Sequence, residues 1–243
     1  MLPDLAAEIT SHLPTARFGR PLHVYERVTS TNDLAKGLAE EGAPEGTAVL
    51  ALAQTAGRGR LGRPWASPRG GMYLSVVLRP ALPTDRWSLL GIAIAVGSAS
   101  AAESLAGMPI TLKWPNDLLL DTRKVGGILV EAGPTFAVAG IGINAAVPPD
   151  LLPPDAASLN VELTTLVCEI LRGVERALAM LPADTAGLLA QWRRRSATLG
   201  RHVRVVGREE VAGVAEDIDA DGALLLRTAQ GVRRVLAGDV SLR

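Results

Sequence analysis

A run of glycine and arginine is the part of the sequence best suited to chemistry. Residues 57–63 read Gly-Arg-Gly-Arg-Leu-Gly-Arg, and they lie between Gln54 and Trp65. Glycine lets the backbone come close to a ligand, and arginine offers a planar fork of donors that fits phosphate or carboxylate. Residues 46–84 contain five arginines and no acidic residue. We therefore predict a local anion-binding loop, with a basic loop that binds RNA as the alternative.

A second candidate lies where Lys113-Trp114-Pro115-Asn116-Asp117 is followed by Lys124-Val125-Gly126-Gly127. Residues 121–124 read as a hairpin turn, which would bring Asp117 and Lys124 close together. The carboxylate could then hold Mg²⁺, and the ammonium could neutralise a phosphate or carboxylate oxygen. The two glycines would leave room for a ligand beside the strand. A solvated charge pair on a surface hairpin is the alternative.

Two shorter patterns complete the candidate site. Gly140, Gly142 and Asn144 alternate along a predicted strand, so they share one face and leave bare backbone for a flat ligand. Close packing by a helix explains the glycines nearly as well. Ser30-Thr31-Asn32 stands at a predicted helix start, where hydroxyls cap the helix and free N–H groups face polar ligand groups.

Several other kinds of site are not indicated. The sequence has no Gly-x-x-x-x-Gly-Lys-Ser/Thr loop and no Gly-x-Ser-x-Gly elbow, and its three histidines lack the spacing of metal ligands. The single cysteine, Cys168, excludes an intrachain disulfide and reads as a buried structural thiol in an apolar helix. Covalent catalysis by the protein is therefore not expected.

The elements that must position these residues mix strands and helices without strict alternation. Strand-like runs occupy 47–53, 72–78, 110–113, 117–120, 125–131 and 136–146. Helices are predicted from about residue 30 to 42 and over 86–105, 163–180 and 185–198. This order favours an α/β (α+β) fold with a mixed sheet and helices on one side. From Arg201 onward, Val and Leu alternate with polar residues between glycines, which predicts four or five short strands in a small β-barrel.

The domain boundaries that follow are 1–198 for the main domain and 199–243 for the β-segment. The 243 residues are 48% apolar and 21% charged, and 25 basic residues balance 25 acidic ones. Zero net charge gives no whole-protein attraction to nucleic acid or membrane. No signal peptide is visible, and the apolar stretch 89–102 is shorter than the roughly 18 residues of a membrane span. We expect a cytoplasmic protein.

Taken together, these segments resemble the biotin–protein ligase (biotin–[acetyl-CoA-carboxylase] ligase) family. The resemblance covers residues 25–145 in family order, and the C-terminal segment is similar to the family's SH3-like domain. It implies a catalytic domain like that of class II aminoacyl-tRNA synthetases. It also implies that biotin and MgATP form biotinyl-5′-adenylate, from which biotin passes to a lysine of a biotin carboxyl carrier protein. Acyl-CoA carboxylase or pyruvate carboxylase would supply that carrier domain, and the enzyme would be a monomer or a weak homodimer.

The resemblance also implies roles for individual residues. Lys124, Arg58 and Arg60 would be catalytic: Lys124 would polarise the biotin carboxylate and the α-phosphate, while the arginines close over the adenylate. Asp117 would serve Mg²⁺ and ATP. The implied biotin-binding residues are Ser30, Thr31, Asn32, Gln54, Gly57, Arg58, Arg60, Lys124, Gly126, Gly127 and Gly142. The implied ATP-binding residues are Arg60, Arg63, Trp65, Lys113, Asn116, Asp117, Lys124 and Asn144.

Two alternatives remain beside this interpretation. A lipoate or octanoate–protein ligase shares the fold, although octanoyltransferases need a cysteine nucleophile and Cys168 lies outside the motif region. A non-enzymatic nucleic-acid-binding module using Arg58, Arg60 and Arg63 is more remote, because net charge is zero. The N-terminal helix-turn-helix of bifunctional members is not found in the 25 residues before the motifs, so we expect no DNA binding.

Overall fold

The helices and strands of the structure, a computed structural model, follow the predicted order after two additional elements, α1 and β1, at the start of the chain. Residues 1–207, 210–236 and 238–242 are described. The helices are α1 (Pro3–His12), α2 (Thr31–Glu40), α3 (Ser88–Ala106), α4 (Leu163–Ala183) and α5 (Thr185–Arg195). The strands are β1 (Leu22–Tyr25), β2 (Ala48–Ala51), β3 (Met72–Leu78), β4 (Ile110–Lys113), β5 (Asp117–Leu120), β6 (Arg123–Ala132), β7 (Ala137–Ile143), β8 (His202–Val206), β9 (Glu210–Ile218), β10 (Leu224–Thr228), β11 (Gly231–Val235) and β12 (Asp239–Leu242).

The larger sheet is mixed, as predicted. Its seven strands lie in the order β1-β2-β3-β7-β6-β5-β4. β1 pairs with β2 in parallel, and the other neighbours are antiparallel. The β6–β7 hairpin therefore enters the middle of the sheet, between β3 and β5, and brings two glycine-containing strands side by side.

The two faces of this sheet are covered unequally. Helices α1, α3, α4 and α5 pack with one face in the main hydrophobic core. The prediction of helices on one side is wrong for α2, which packs its Ala35 and Ala39 on the opposite face against Val49, Val77 and Val138. Because side chains alternate along a strand, Gly140 and Gly142 lie on the same face as Val138, farther along β7. The glycine and charged motifs thus lie on the face that α2 covers only in part.

Helix α3 forms the centre of the covered face. By length and composition it could cross a membrane, but 67% of its apolar 18-residue stretch is buried inside the protein. Gly97 of α3 packs on Gly173 of α4 so closely that a Cβ at Gly97 would lie 2.4 Å from the Gly173 carbonyl oxygen. The helix is thus explained as the core helix of the fold.

The C-terminal segment forms a second sheet of five antiparallel strands in the order β11-β10-β9-β8-β12. The predicted set of short strands is confirmed for the described part, while residues 208, 209, 237 and 243 of the segment lie outside the described residues. Trp114, at the end of β4, joins the two sheets. Its indole Nε1 donates to the Gly222 carbonyl at 3.1 Å, and its backbone N–H donates to Thr198 Oγ1 at 2.9 Å.

Candidate active site

A cavity of about 180 Å³ opens on the partly covered face of the larger sheet. Four parts of the chain enclose it: the start of α2, the 54–65 loop, the ends of β4 and β5, and the middle of β6 and β7. Val240 of the C-terminal sheet completes the wall. Fourteen of the residues predicted for the site line the cavity, namely Ser30, Thr31, Asn32, Gln54, Arg58, Arg60, Arg63, Trp65, Lys113, Asn116, Asp117, Lys124, Gly127 and Gly142.

Strand register explains why such distant residues meet. Ser75 pairs with Gly140, Tyr73 with Gly142, and Gly142 in turn with Gly127. Gly127 pairs with Asp117, and Asp117 pairs with Lys113. Directly paired residues share a face of the sheet, so one row of polar and glycine positions crosses five strands.

The start of α2 is tied to the loop by a partly buried hydrogen-bond network. Ser30 Oγ caps the helix by accepting from the Asp33 N–H at 3.4 Å. Gln54 Oε1 accepts from the Thr31 N–H at 2.8 Å and lies 3.1 Å from Thr31 Oγ1, and Gln54 Nε2 donates to Ser67 Oγ at 3.0 Å. These polar groups are thereby pre-positioned at one end of the cavity, where the amide-like groups of a ligand could form hydrogen bonds with them.

Ser75 and Glu131 extend this network, and neither was singled out from the sequence. Ser75 Oγ lies 2.8 Å from Thr31 Oγ1 and 2.6 Å from Asn32 Oδ1, and Asn32 Nδ2 donates to Glu131 Oε2 at 2.6 Å. A lone serine in an otherwise apolar buried strand was the available signal for Ser75. A completely buried hydroxyl requires hydrogen-bond partners, and Ser75 finds two on α2, namely Thr31 and Asn32.

The glycine–arginine loop forms a small hairpin. The Trp65 N–H donates to the Gly57 carbonyl at 2.9 Å, and the Gly59 N–H donates to the Arg63 carbonyl at 2.8 Å. Its tip is a single 3₁₀ turn in which Leu61 and Gly62 both have positive φ, at 54° and 72°. Gly57 is needed at the base, because a Cβ there would lie 2.7 Å from the Trp65 carbonyl oxygen. We call residues 57–65 the arginine hairpin.

The predicted bare glycine face exists, and the Trp65 indole lies against it. A Cβ at Gly142 would lie 2.8 Å from Trp65 Nε1, and a Cβ at Gly127 would lie 3.2 Å from its Cζ3. Lys124 Nζ is 5.1 Å from the centroid of the same ring, within the range of a cation–π contact. Gly140 lies beneath the Asn32 amide in the same way. The indole therefore packs directly on the two glycines and forms a flat apolar wall of the cavity.

Lys124 and Asp117 meet as the sequence predicted, although the turn between them is shorter than expected. The predicted turn at 121–124 is wrong, because β6 begins at Arg123 and only residues 121 and 122 turn, with Asp121 at a φ of 54°. The register between β5 and β6 shifts by one residue after Leu118. Lys124 Nζ then lies 2.6 Å from Asp117 Oδ1, with both side chains partly buried.

The resemblance implies that Arg58 binds phosphate, but in the structure its guanidinium pairs with carboxylates of the protein. Its guanidinium donates from Nη1 and Nη2 to the two Asp33 carboxylate oxygens at 2.7 and 2.5 Å, and Nη2 lies 3.7 Å from Glu131 Oε2. This hydrogen-bonded pair lowers the pKa of Asp33 and raises the pKa of Arg58. Arg58 therefore faces two carboxylates in this arrangement, although it still lines the cavity.

Three predicted site residues lie outside the cavity lining. Asn144 was expected to line a nucleotide pocket, but it is buried and its Nδ2 donates to the Ala157 carbonyl at 3.0 Å. A Cβ at Gly126 would point to the core side and lie 3.1 Å from Ile143 Cγ1. Gly57 shapes the hairpin base instead. Their contribution is to the scaffold.

The donor set of the cavity limits what metal it could hold. Among the described lining residues Asp117 is the one carboxylate, and no group of three or more His, Cys, Asp or Glu was found in the described part of the chain. Mg²⁺ commonly binds through one or two carboxylates together with substrate phosphates and water. Asp117 therefore fits a Mg²⁺ that arrives with a nucleotide, rather than a resident metal centre.

Cys168 takes no part in the cavity. It is buried in α4, its Sγ lies 3.7 Å from the Ile9 carbonyl oxygen, and burial raises the pKa of the thiol. A thiol whose pKa is raised carries little thiolate at neutral pH and is a poor nucleophile. The prediction of a buried structural cysteine is confirmed.

Comparison with known proteins places this arrangement in a family. A model described as "Biotin/lipoate A/B protein ligase family" matches residues 24–147, and one described as "Biotin protein ligase C terminal domain" matches residues 198–243. The biotin–[acetyl-CoA-carboxylase] ligase of Mycobacterium tuberculosis is 36% identical over 91% of this chain and 88% of its own length. The bifunctional ligase/repressor BirA of Bacillus subtilis is 31% identical over 97% of this chain and 78% of its own.

Solved structures agree with the sequence relatives. The biotin protein ligase of Aquifex aeolicus, in complex with biotin and ATP, superposes with a TM-score of 0.80 at 29% identity, covering 91% of this chain and 98% of that one. The Leishmania major enzyme in complex with biotinyl-5-AMP superposes with a TM-score of 0.58 at 26% identity, covering 89% and 98%. The described fold is thus shared over nearly the whole length of both.

Proposed function

Because the chain belongs to the biotin/lipoate A/B protein ligase family, we propose that its cavity activates biotin with ATP and passes it to a lysine of a carrier domain. In the first step a biotin carboxylate oxygen attacks the α-phosphorus of ATP, forming biotinyl-5′-AMP and releasing pyrophosphate. In the second step the neutral ε-amine of the acceptor lysine attacks the mixed anhydride, forming an amide and releasing AMP and a proton. The relatives' names support this ligase activity.

The observation that carries the proposal is the position of Lys124. Two anions must meet in the first step, and a cation beside both offsets their repulsion and the charge that develops on the α-phosphate. Lys124 lines the cavity, and its Nζ lies beside Asp117 and over the Trp65 ring. We assign it to the biotin carboxylate and the α-phosphate, with Asp117 holding the Mg²⁺ that accompanies ATP.

The remaining residues divide between the two ligands. Thr31 and Gln54, with Ser30 and Asn32, provide polar groups for the ureido ring, and the flat wall that the Trp65 indole forms on Gly127 and Gly142 fits the flat, apolar part of biotin. We assign the nucleotide to the opposite end of the cavity. The residues proposed there are Arg60, Arg63, Lys113 and Asn116.

The acceptor is a carboxylase that carries biotin, as the names of the relatives indicate. We propose that the acceptor is the carrier domain of an acyl-CoA carboxylase or of pyruvate carboxylase. We further propose that the enzyme is monofunctional and does not act on DNA, that it is cytoplasmic, and that it is a monomer or a weak homodimer. The domain boundary is proposed at residues 198 and 199. It falls between α5 and β8, just after Thr198 meets Trp114.

Biotin-dependent exchange of pyrophosphate into ATP tests this function on the purified protein. We expect exchange with biotin and MgATP, and much less with lipoate or octanoate, because those acids lack the ureido group that the Thr31–Gln54 network fits. Omitting the acid provides the baseline. Exchange that is supported by lipoate or octanoate and not by biotin would assign the chain to the other branch of its family. Absence of exchange with all three would reject the activity.

The contact of Trp65 with Gly142 makes a specific prediction about biotin affinity. Gly142→Val would place side-chain carbon against Trp65 Nε1, so the indole must leave the strand and move into the cavity. We expect the dissociation constant for biotin to rise at least about ten-fold, since one or two misplaced methyl groups in a tight pocket have effects of this size. Isothermal titration measures it. Gly91→Val, on α3 and outside the cavity lining, is the matched substitution, because an added Cβ there meets no atom within 4 Å. Biotin binding by Gly142→Val equal to that of the unchanged enzyme would contradict the role of this wall.

A further inference from the structure

Arg58 lies at the junction of three elements that surround the cavity. Its backbone belongs to the arginine hairpin, its guanidinium donates two hydrogen bonds to Asp33 in the first turn of α2, and Glu131 of β6 lies 3.7 Å away. Glu131 also accepts from Asn32, which leads into the Ser75 network. One guanidinium thus joins the hairpin to both walls on which biotin would rest.

The hairpin transmits this anchorage to the residues over the cavity. Arg58 forms an antiparallel bridge with Pro64 across the hairpin, and the flanking hydrogen bonds join residues 57 to 65 and 59 to 63. Because the two arms are linked on both sides of Arg58, they move as one unit. Holding Arg58 therefore also holds Arg63 and Trp65 in place over the cavity.

Charge argues that Arg58 serves the protein rather than the ligand. Two carboxylates, Asp33 and Glu131, face this one cation, and a bidentate arginine–carboxylate pair has directional hydrogen bonds as well as charge. A phosphate would have to replace both acids. The cavity lining meanwhile contains other cations for phosphate, such as Lys113 at the nucleotide end and Lys124 at the proposed α-phosphate position.

We propose that Asp33 and Glu131 are positioning residues which, through Arg58, clasp the arginine hairpin over the cavity and retain the adenylate until the acceptor lysine arrives. This inference rests on the proposed function. A reactive mixed anhydride must be kept from water, and the hairpin is the cover that the clasp holds. Loss of the clasp would let the hairpin open and carry Trp65 with it, while the ion pair between Lys124 and Asp117 stays in place.

The test follows loss of preformed adenylate. The full-length enzyme is loaded with labelled biotin and MgATP, freed of unbound ligand, and chased with unlabelled biotin without acceptor. Because the Arg58–Asp33 pair is about half exposed, we expect a modest effect: Asp33→Asn should release label about five-fold faster than the unchanged enzyme. Glu131→Gln should have a smaller effect in the same direction, since its contact with Arg58 is longer.

A double-mutant cycle separates the clasp from other roles of Asp33. Asp33 also stands in the first turn of α2, where an acid favours the helix whatever Arg58 does. We therefore expect Asp33→Asn to have no further effect on release in an Arg58→Gln background, and Asp33→Glu to restore part of the retention. Glu169→Gln, which breaks an ion pair on the distant helix α4, should retain adenylate as the unchanged enzyme does.

The outcomes distinguish the clasp from the function on which it rests. An unchanged enzyme with no biotin-dependent exchange rejects the proposed function itself. Normal exchange with equal release from Asp33→Asn and the unchanged enzyme overturns the clasp, and so does an Asp33→Asn effect of the same size with and without Arg58. Faster release that disappears in the Arg58→Gln background supports it.

Discussion

Lys124→Ala should lower the rate of adenylate formation about 10³-fold while leaving the protein folded. Removing one pre-positioned group that stabilises charge in a transition state typically costs 10²–10³ in rate, and Lys124 is asked to neutralise two anions at once. Its Nζ is fixed by Asp117 at 2.6 Å and by the Trp65 ring, so it needs no rearrangement before reaction. The measurement is biotin-dependent pyrophosphate exchange, with the midpoint of thermal unfolding as the check on folding.

Two further variants show whether this loss is specific. Lys124→Arg keeps the charge but replaces a compact ammonium by a wide planar group, so it should restore only part of the rate. Arg172→Ala removes a cation from the surface of α4, outside the cavity, and should exchange at the normal rate. Exchange by Lys124→Ala within a few-fold of the unchanged enzyme would show that another residue performs this step.

Trp114→Ala should have the largest effect on stability. Trp114 is 1% exposed and is one of two fully buried tryptophans among the described residues, packed among the main core residues. Truncation of a buried tryptophan to alanine removes its apolar contacts and leaves a cavity, which costs about 3–5 kcal/mol. The hydrogen bond from its indole to the Gly222 carbonyl, which joins the two sheets, is lost as well. We expect urea unfolding to report this loss.

Trp114→Phe is the matched variant for that measurement. It keeps most of the aromatic volume but cannot donate to Gly222, so it should lose less than Trp114→Ala. The Gly222 carbonyl would then be left without this donor, a cost of about 1–3 kcal/mol. A Trp114→Ala protein destabilised by less than about 1 kcal/mol would mean that the C-terminal sheet does not depend on this contact.

The sequence predicts the parts of this molecule that depend on local patterns. The alternation of glycines at 140 and 142 predicts one bare strand face. Periodicity and helix caps predict the strands and helices that carry the motifs. The meeting of Asp117 with Lys124 followed from their separation across one short turn. Each of these features involves residues within a few positions of one another, where backbone geometry decides the outcome.

Other features depended on contacts between distant segments. The Arg58–Asp33 pair joins residues 25 positions apart, and the Asn32–Glu131 hydrogen bond spans 99. Asn144 looked like a ligand residue because it continues the glycine face, but β7 ends at Ile143 and its amide turns to the Ala157 carbonyl. A helix on the partly covered face of the sheet could not be foreseen for α2, since the same amphipathic pattern fits either face.

The one-residue shift between β5 and β6 has a consequence for how a reactive lysine can be placed at all. Gly127 faces the cavity, Gly126 faces the core, and a regular strand would send Val125 outward and Lys124 into the apolar interior. The bulge reverses that parity, so the valine is buried and the ammonium reaches the ligand side. The number of residues between Lys124 and Gly127 therefore decides which face of the sheet the ammonium reaches. A single inserted or deleted residue in this segment would leave a strand that still pairs, but with its cation on the wrong side.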